Sequence, residues 1–213
     1  MGIQQDIKNI VFDLGGVLCG LDADRCIKAF FEIGAEEVAV YVQKHRVEDL
    51  FLRAELGQIS THEFCDEVRH ITNRDLTDDR IVWAWNELLT GITEERKAAV
   101  TALSKRYRLF VLSNTNDMHW TRWEEMSGMA DRASVVAGKL SAAEPVFEKT
   151  FLSYRLHLAK PSHEIYETVL LQAGLQAEQT LFIDDSLTNC KAAEEVGIRT
   201  FHNKSINDWL TLL

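Results

Sequence analysis

The sequence lacks the features that mark membrane-spanning, nucleic-acid-binding and zinc-binding proteins. No apolar run approaches the roughly 18 residues that a membrane helix needs. The net charge is −10, whereas nucleic-acid binding requires a basic surface. The four cysteines show neither CxxC pairs nor zinc-ligand spacing, and only two prolines occur. We therefore expect neither nucleic acid nor a membrane as a partner.

The N-terminal segment 1–8 is polar, so no signal peptide is expected. Cysteines without a pairing pattern are typical of a reducing compartment, which predicts a cytoplasmic protein. At 213 residues the chain is long enough for one full core and one added subdomain. The sequence carries no signal for an oligomeric state, and none is predicted.

Two short apolar segments, distant in sequence, each end in aspartate. Ile10–Phe12 precedes Asp13, and Leu181–Ile183 precedes Asp184 and Asp185. Such segments are typical of buried parallel strands, and ligands bind beyond the carboxyl ends of parallel strands. Three carboxylates at one sheet edge repel one another, and Mg²⁺, which prefers oxygen ligands, relieves that repulsion. The sequence therefore predicts a magnesium-carboxylate site on an α/β sheet.

The residues between the first strand and position 91 have a helical pattern without a strand-like run. From Thr93 onward helices and strands alternate, which predicts a parallel sheet with right-handed crossovers. The predicted helices before position 91 are 24–33, 36–53, 61–71 and 78–89. Further predictions are strands at 109–112, 150–154, 180–183 and 199–201, an irregular or partly helical stretch at 131–146, and a last helix at 205–213. The predicted fold is α/β, with a Rossmann-like core (1–18 and 92–213) and an inserted all-helical cap (19–91).

Two more polar groups follow predicted strands, namely Ser113 with Asn114, and Lys160 before Pro161. Each group alone has an ordinary structural role in a turn, a loop or the solvated surface. Their joint order favours a different interpretation. A nucleophilic carboxylate, a hydroxyl and amide pair, a lysine and an acidic pair are the groups needed to hold a phosphoryl group beside Mg²⁺.

With these residues in this order, the sequence resembles the haloacid dehalogenase superfamily of aspartate-nucleophile hydrolases over nearly its whole length. The helical insert resembles the small cap of that family. Within the cap, LRAELGQISTHEF (52–64) is similar to the bacterial α-glucose-1-phosphate phosphatases, and the phosphatase domain of soluble epoxide hydrolase is a more distant relative. The segments similar to the four family motifs are IVFDLGGVL (10–18), FVLSNTN (110–116), KPSHEIY (160–166) and FIDDSLTN (182–189).

The resemblance implies a role for each residue that binds or attacks the phosphoryl group. Asp13 would attack phosphorus and form an aspartyl-phosphate, which is covalent catalysis by a carboxylate. Ser113 and the adjacent Asn114 amide would bind the phosphoryl oxygens. Lys160 would neutralise charge on Asp13 and on the phosphoryl group.

The resemblance also implies the ligands of the predicted Mg²⁺ cofactor. They would be the Asp13 carboxylate, the backbone carbonyl of Gly15 and the Asp185 carboxylate. Asp184 would orient metal-bound water and Lys160 without binding the metal itself. Asn189 would support the loop of the fourth motif.

Gly15 departs from the family pattern. Most phosphatases of this superfamily carry a second aspartate at this position, two residues after the nucleophile, as general acid and base. Such a group contributes about 10²–10⁴ in rate, so its loss need not abolish turnover. Asp22 or Asp24, near the start of the cap, would be a substitute acid. The alternative is that both are solvated N-terminal residues of the first cap helix.

Two pairs of cap residues are candidates for contact with the substrate. Trp83 and Trp85 would wall a pocket, although residues two positions apart on a helix do not share a face, so at least one is expected in the core. Arg53 and Glu55, beside the turn at Gly57, either face the site or form a surface ion pair.

Together these features predict a Mg²⁺-dependent phosphatase acting on a small phosphorylated metabolite, with a sugar phosphate as the favoured class. One alternative is a metal-independent haloacid dehalogenase, a branch whose fourth motif lacks the acidic pair present here at Asp184 and Asp185. The other is a catalytically weak protein with a binding or regulatory role, and only Gly15 favours it.

The glycine at position 15 generates a testable prediction about the leaving group. If no other residue supplies a proton, hexose 1-phosphates should have a higher kcat/KM than the matching 6-phosphates, because an anomeric oxygen leaves more readily than a primary alkoxide. The measurement compares both isomers of one sugar at equal Mg²⁺. A clear preference for the 6-phosphate would mean that another residue provides the proton.

Overall fold

A computed structural model describes residues 2–44, 50–129, 131–132 and 145–213 of the chain. Its strands, in chain order, are β1 (Asn9–Phe12), β2 (Gly20–Leu21), β3 (Leu89–Gly91), β4 (Arg108–Ser113), β5 (Lys149–Leu152), β6 (Thr180–Asp184) and β7 (Arg199–His202). Five of them form a parallel sheet in the spatial order β5-β4-β1-β6-β7. The other two, β2 and β3, pair antiparallel in a separate small sheet. The first and last thirds of the chain thus meet in one sheet.

The helices lie between these strands and are bounded by residues with ordinary capping chemistry. They are α1 (Ala23–Glu32), α2 (Glu36–Lys44), α3 (Leu50–Glu55), α4 (Thr61–Thr72), α5 (Asp78–Asn86), α6 (Glu94–Ser104), α7 (Asp117–Ser127), α8 (Ser153–Leu156), α9 (His163–Ala173) and α10 (Leu187–Glu195). Thr93 and Ser186 accept hydrogen bonds from backbone N–H groups of the first turns of α6 and α10. Gly174 ends α9 in the left-handed conformation.

Both faces of the parallel sheet are buried, because successive side chains of a strand point to opposite faces. In β1, Ile10 and Phe12 belong to one hydrophobic cluster, and Val11 belongs to the cluster on the other face. The same alternation separates Leu181 from Phe182 in β6. The predicted α/β fold with a parallel sheet is confirmed.

Helices α1 to α5 pack around a hydrophobic cluster of their own, which includes Phe30, Phe64 and Trp85. This helical layer is inserted between β2 and β3, which pair with each other through Gly20 and Gly91. The chain therefore enters and leaves the inserted helices at adjacent points. The boundaries at 18/19 and 91/92 remain a prediction.

The short strands β2 and β3 correct the sequence prediction at both ends of the insert. The helix predicted at 78–89 ends at Asn86, because Leu89–Gly91 is extended and pairs with Gly20–Leu21. Strands of two and three residues are too short to produce a period-2 pattern in the sequence. The helix predicted at 36–53 corresponds to α2 and α3, and residues 45–49 between them lie outside the described residues.

Further corrections concern the C-terminal half. The last segment forms a 3₁₀ turn at Asp208–Leu212 in place of the α-helix predicted at 205–213. The Asp208 carboxylate accepts from the backbone N–H and the hydroxyl of Ser205 at 2.9 and 2.6 Å. Strand β5 ends at Leu152 and continues into α8. The stretch predicted as irregular at 131–146 lies largely outside the described residues. Within the described part of the chain, no helix has the length and apolarity to cross a membrane.

The two cap tryptophans occupy different environments. Trp85 is 6% exposed and stacks on Phe51 with ring centroids 4.1 Å apart and on His119 of α7 at 4.6 Å. Burial lowers the pKa of His119 to about 4, so its ring is neutral where it meets the Trp85 carbonyl at 3.2 Å. Trp83 is 40% exposed and borders a surface groove of about 450 Å³. Trp85 is thus the core residue of the pair and joins the inserted helices to α7.

These environments predict unequal costs for two matched substitutions. Trp85→Ala should lower the free energy of unfolding by about 3–5 kcal/mol, because it leaves a cavity between α3, α5 and α7. Trp83→Ala, the control, should cost less because the side chain lies at the surface and leaves no enclosed cavity. Denaturant unfolding of both variants tests this, and equal losses would contradict the assignment of Trp85 to the core.

Candidate active site

The predicted site residues meet at the carboxyl edge of the parallel sheet. Phe12, the last residue of β1, lies opposite Ile183 of β6 on one side and Val111 of β4 on the other. The next residue, Asp13, continues this alignment, since its backbone N–H donates to the Ile183 carbonyl at 2.8 Å. Asp13 therefore lies between the ends of β4 and β6, where Ser113 and Asp184 are found.

Lys160 occupies the centre of this edge and bridges two buried carboxylates. Its Nζ lies 2.8 Å from Asp13 Oδ1 and 2.7 Å from Asp184 Oδ2. It also donates to the Leu112 carbonyl at 3.2 Å. The side chains of Lys160 and Asp184 are 1% and 0% exposed. One ammonium group is thus shared by two carboxylates in a region from which water is excluded.

The backbone of Lys160 is held by Asn114. The Lys160 N–H donates to Asn114 Oδ1, and Asn114 Nδ2 donates to the Lys160 carbonyl, both at 2.9 Å. The side-chain amide of Asn114 is therefore committed to Lys160. The phosphate-binding role predicted for Asn114 accordingly concerns its backbone N–H, beside the buried hydroxyl of Ser113.

Asp184 organises the loop that follows β6. Its Oδ1 accepts from the Ser186 backbone N–H at 2.7 Å, and both of its oxygens lie 3.1 Å from Asn189 Nδ2. Asn189 is in turn fixed through its carbonyl, which accepts from the Tyr166 hydroxyl at 3.0 Å. With Lys160 added, each Asp184 oxygen has a partner, which suits the prediction that Asp184 orients its neighbours.

Asn203 is a site residue that sequence reasoning missed. It is 1% exposed, its Nδ2 donates to the Gly16 carbonyl at 2.9 Å, and its N–H donates to the Asp184 carbonyl at 2.8 Å. Asn203 thereby ties the loop after β1 to the end of β6. The sequence does contain a signal for this residue, because Asn203 directly follows the last strand of the sheet, as Asp13 follows the first.

The glycines after Asp13 leave room for the acidic pair. Gly16 has φ +68°, and a Cβ built on it would lie 2.3 Å from Asp185 Oδ2. Any side chain at this position would displace the Asp185 carboxylate. Gly15 is bracketed by two backbone hydrogen bonds, from Gly16 N–H to the Cys19 carbonyl at 2.9 Å and from Cys19 N–H to the Leu14 carbonyl at 2.7 Å. Neither bond uses the Gly15 carbonyl predicted as a metal ligand.

The site carries more negative charge than Lys160 neutralises. Burial, with a contribution from Asp184, raises the pKa of Asp13 to about 7 despite the nearby ammonium group. Burial and Asp184 also raise the pKa of Asp185. Burial alone would lower the pKa of Lys160, but Asp13 and Asp184 raise it overall, so the lysine stays charged. Lys160 therefore offsets only part of the negative charge of the three carboxylates.

The carboxylate cluster fits a divalent cation. Oxygens of Asp13, Asp184 and Asp185 all lie within 4.8 Å of one another. An all-oxygen donor set suits Mg²⁺, and the raised pKa values of Asp13 and Asp185 reflect the charge that such an ion would offset. Asp184 is already fully hydrogen-bonded, so the direct ligands predicted from the sequence, Asp13 and Asp185, stay a prediction that this geometry accommodates.

Most of the other residues that the sequence suggested for the site make contacts that stabilise the local fold. Asp22 Oδ1 accepts from the Arg25 N–H at 2.9 Å and caps α1, and Asp24 is exposed in the first turn, which supports the N-terminal alternative for both. Arg53 lies 3.5 Å from Glu67 in an exposed ion pair. Glu55 differs from these, because its carboxylate is close enough to Lys160 to be influenced by the charge of that residue.

Comparison with protein-family models gives a match to the haloacid dehalogenase-like hydrolase family over residues 7–197. The chain belongs to this family. Individual members of the family are also similar to this hydrolase over nearly its full length. D-ribitol-5-phosphate phosphatase of Bacteroides thetaiotaomicron is 30% identical over 205 residues, which cover 95% of each chain.

A solved structure extends this similarity to three dimensions. A haloacid dehalogenase family enzyme of Bacteroides thetaiotaomicron, crystallised with magnesium and inorganic phosphate, matches with a TM-score of 0.82 and 37% identity over 97% of this chain and 99% of that one. The (S)-2-haloacid dehalogenase 2 of a Pseudomonas species is 26% identical over 213 residues, covering 95% of this hydrolase and 86% of that protein. The family predicted from the sequence is confirmed. The predicted phosphatase class and Mg²⁺ cofactor agree with the Bacteroides proteins.

The contacts of the acidic pair predict that one substitution lowers stability and the other weakens Mg²⁺ binding. Asp184→Asn should lower the stability of the metal-free hydrolase by about 3–5 kcal/mol, because it leaves Lys160 buried with one charged partner fewer. Asp185→Asn should have little effect on stability but should weaken Mg²⁺ binding, since Asp185 is exposed. Thermal unfolding with and without Mg²⁺ separates the two effects. Full stabilisation of Asp185→Asn by Mg²⁺ would contradict its assignment as a ligand.

Proposed function

We propose that this hydrolase is a Mg²⁺-dependent phosphatase that cleaves the phosphate monoester of a small sugar or sugar alcohol through an aspartyl-phosphate on Asp13. The observation that carries the proposal is the bridge that Lys160 forms between Asp13 and Asp184 beside Asp185, at the carboxyl edge of the sheet. This arrangement combines a nucleophile, a fixed cation and a carboxylate pair that suits a second cation. The proposed location is cytoplasmic.

The geometry of Asp13 selects the attacking oxygen. Oδ1 lies 2.8 Å from Lys160 Nζ and accepts from the Leu14 N–H at 2.7 Å. We assign the attack on phosphorus to Oδ2. Attack forms the bond between Oδ2 and phosphorus while the bond between phosphorus and the leaving oxygen breaks.

The transferring phosphoryl group needs donors that match its developing charge. We assign the Ser113 hydroxyl and the Asn114 backbone N–H to its oxygens, with Lys160 as the nearest cation. When bound, Mg²⁺ supplies further positive charge at the same oxygens, and Asp13, Asp185 and the Gly15 carbonyl are the groups that would hold it. Asn114 also keeps Lys160 in place through its side chain, so it has one role through its backbone and another through its side chain.

Hydrolysis of the aspartyl-phosphate completes the cycle. Water attacks phosphorus, the bond between phosphorus and Asp13 breaks, and inorganic phosphate is released with the carboxylate restored. Lys160 again stabilises the carboxylate as a leaving group. The sheet edge thus performs both displacements with one set of contacts.

The dehalogenase alternative receives less support from the site. A dehalogenase of this type needs the nucleophile and a cation, but its fourth motif lacks the acidic pair present here, of which Asp184 raises the pKa of Asp13. Asp185 has a purpose only if a cation is bound. The name of the similar Bacteroides protein supports a phosphorylated sugar alcohol or sugar as the substrate class.

One experiment tests the proposed activity and its metal requirement. The purified protein should release phosphate from 4-nitrophenyl phosphate and from at least one sugar or sugar-alcohol phosphate, with D-ribitol 5-phosphate tested first. Activity should vanish with excess chelator and return with added Mg²⁺. Chloride release from a 2-chloro acid in chelator, without phosphatase activity, would support the dehalogenase alternative instead.

A substitution of the nucleophile should separate catalysis from stability. Asp13→Asn should abolish phosphate release, because an amide does not attack phosphorus. In the folded chain the pKa of Asp13 is about 7, against 3.8 for an ordinary aspartate. The folded state therefore keeps a proton that the unfolded chain has lost between these pH values, and metal-free stability falls as the pH rises through this range.

The Asp13→Asn variant should not show this loss of stability as the pH rises. Without metal, Asp13→Asn should unfold at a higher temperature than the parent at pH 8, and the gap should shrink as the pH is lowered toward 4. Thermal unfolding over this pH range in chelator provides the measurement. A variant that is less stable than the parent at pH 8 would contradict the electrostatic account of the site.

A further inference from the structure

The proposed reaction requires a proton that the core of the protein does not supply. A sugar or sugar-alcohol alkoxide leaves poorly unless it is protonated as its bond to phosphorus breaks. Gly15 offers no acid, and a Cβ at this position would lie 3.0 Å from Cδ1 of Leu21 in β2, so an apolar side chain covers the place. Asp184 is fully hydrogen-bonded, and Lys160 is held between two carboxylates.

The direction of attack locates the missing acid. In phosphoryl transfer the attacking and leaving oxygens are roughly in line, on opposite sides of phosphorus. Asp13 attacks from the sheet edge, so the leaving oxygen points away from the sheet. The insert begins soon after Asp13, beyond the carboxyl end of β1, which makes the acidic residues of its helices the candidates.

The C-terminal end of α3 is fixed against the core close to Lys160. The Leu56 carbonyl accepts from His157 Nδ1 at 2.8 Å. Gly57 has φ +64°, and a Cβ built on it would lie 2.1 Å from the Tyr154 carbonyl, so only glycine allows this approach. The contacted segment, 154–157, leads directly into Lys160. The residue that ends α3 is therefore placed at the rim of the site by contacts on its C-terminal side.

That residue is Glu55. Burial raises the pKa of its carboxyl above the ordinary value, and the Lys160 charge acts in the opposite direction. Glu55 therefore combines partial burial with a place beside the segment that leads into Lys160. A half-buried carboxyl whose pKa lies above the ordinary value suits proton transfer to a leaving oxygen.

We propose that Glu55 is the general acid and base of this enzyme, supplied by the inserted helices in place of the acid absent at position 15. The inference rests on the proposed phosphatase function. In the first step the Glu55 carboxyl gives its proton to the leaving oxygen as the bond to phosphorus breaks, so the alcohol departs neutral. In the second step the Glu55 carboxylate takes a proton from the water that attacks the aspartyl-phosphate, which restores the acid.

The test compares Glu55→Gln with the parent on two substrates in Mg²⁺. For a primary alkyl phosphate such as D-ribitol 5-phosphate, kcat/KM should fall about 10²–10⁴-fold, the usual contribution of a general acid. For 4-nitrophenyl phosphate it should change little, since the nitrophenolate leaves without a proton. Glu55→Asp should retain part of the alkyl-phosphate activity. A parent that prefers neither hexose isomer should yield a Glu55→Gln variant that prefers the 1-phosphate.

The control is Glu32→Gln, the same substitution at an exposed glutamate that ends α1, and it should change neither rate. Thermal unfolding of each variant verifies that the fold is retained. Equal losses on both substrates, or no loss on either, would overturn the proposal for Glu55. A parent that hydrolyses neither substrate in Mg²⁺ would overturn the phosphatase function itself, so the two failures are distinguishable.

Discussion

The contact on which the rest of the site depends is the sharing of one ammonium group by two buried carboxylates. Lys160 holds Asp13 and Asp184 within hydrogen-bond distance in a buried region, and the two carboxylates keep the ammonium group charged there. The surrounding polar contacts serve to keep this arrangement in place. Asn114 fixes the lysine backbone, and Asn189 fixes Asp184.

The incomplete neutralisation of this cluster raises the pKa of Asp13 and of Asp185. A nucleophile whose charge is costly at neutral pH is held ready for an electrophile and a cation that lower the cost. Gly16 adds to the negative charge of this edge, because it gives the Asp185 carboxylate room to approach the loop after β1. Packing and electrostatics thus oppose each other here, as is typical of functional sites.

Sequence reasoning reached the parts of the structure that leave strong local patterns. The runs around Val11, Phe110 and Phe182 predicted buried parallel strands, and polar residues at their ends predicted the edge where the site lies. It missed β2 and β3, which are too short for a periodic signal, and it predicted an α-helix where Asp208–Leu212 forms a 3₁₀ turn. The position of Glu55 follows from tertiary contacts of Leu56 and Gly57, for which a single sequence has no pattern.

The pairing of β2 with β3 affects how the inserted helices can change in evolution. Because the two strands lie side by side, the whole insert behaves as one long loop whose ends are already joined. The entropy of closing a loop grows only with the logarithm of its length, about 0.6 kcal/mol for each doubling. Inserts of different size therefore place nearly the same burden on the folding of the core. Substrate preference, and the identity of the proton donor with it, is free to diverge while the sheet edge that performs the chemistry stays unchanged.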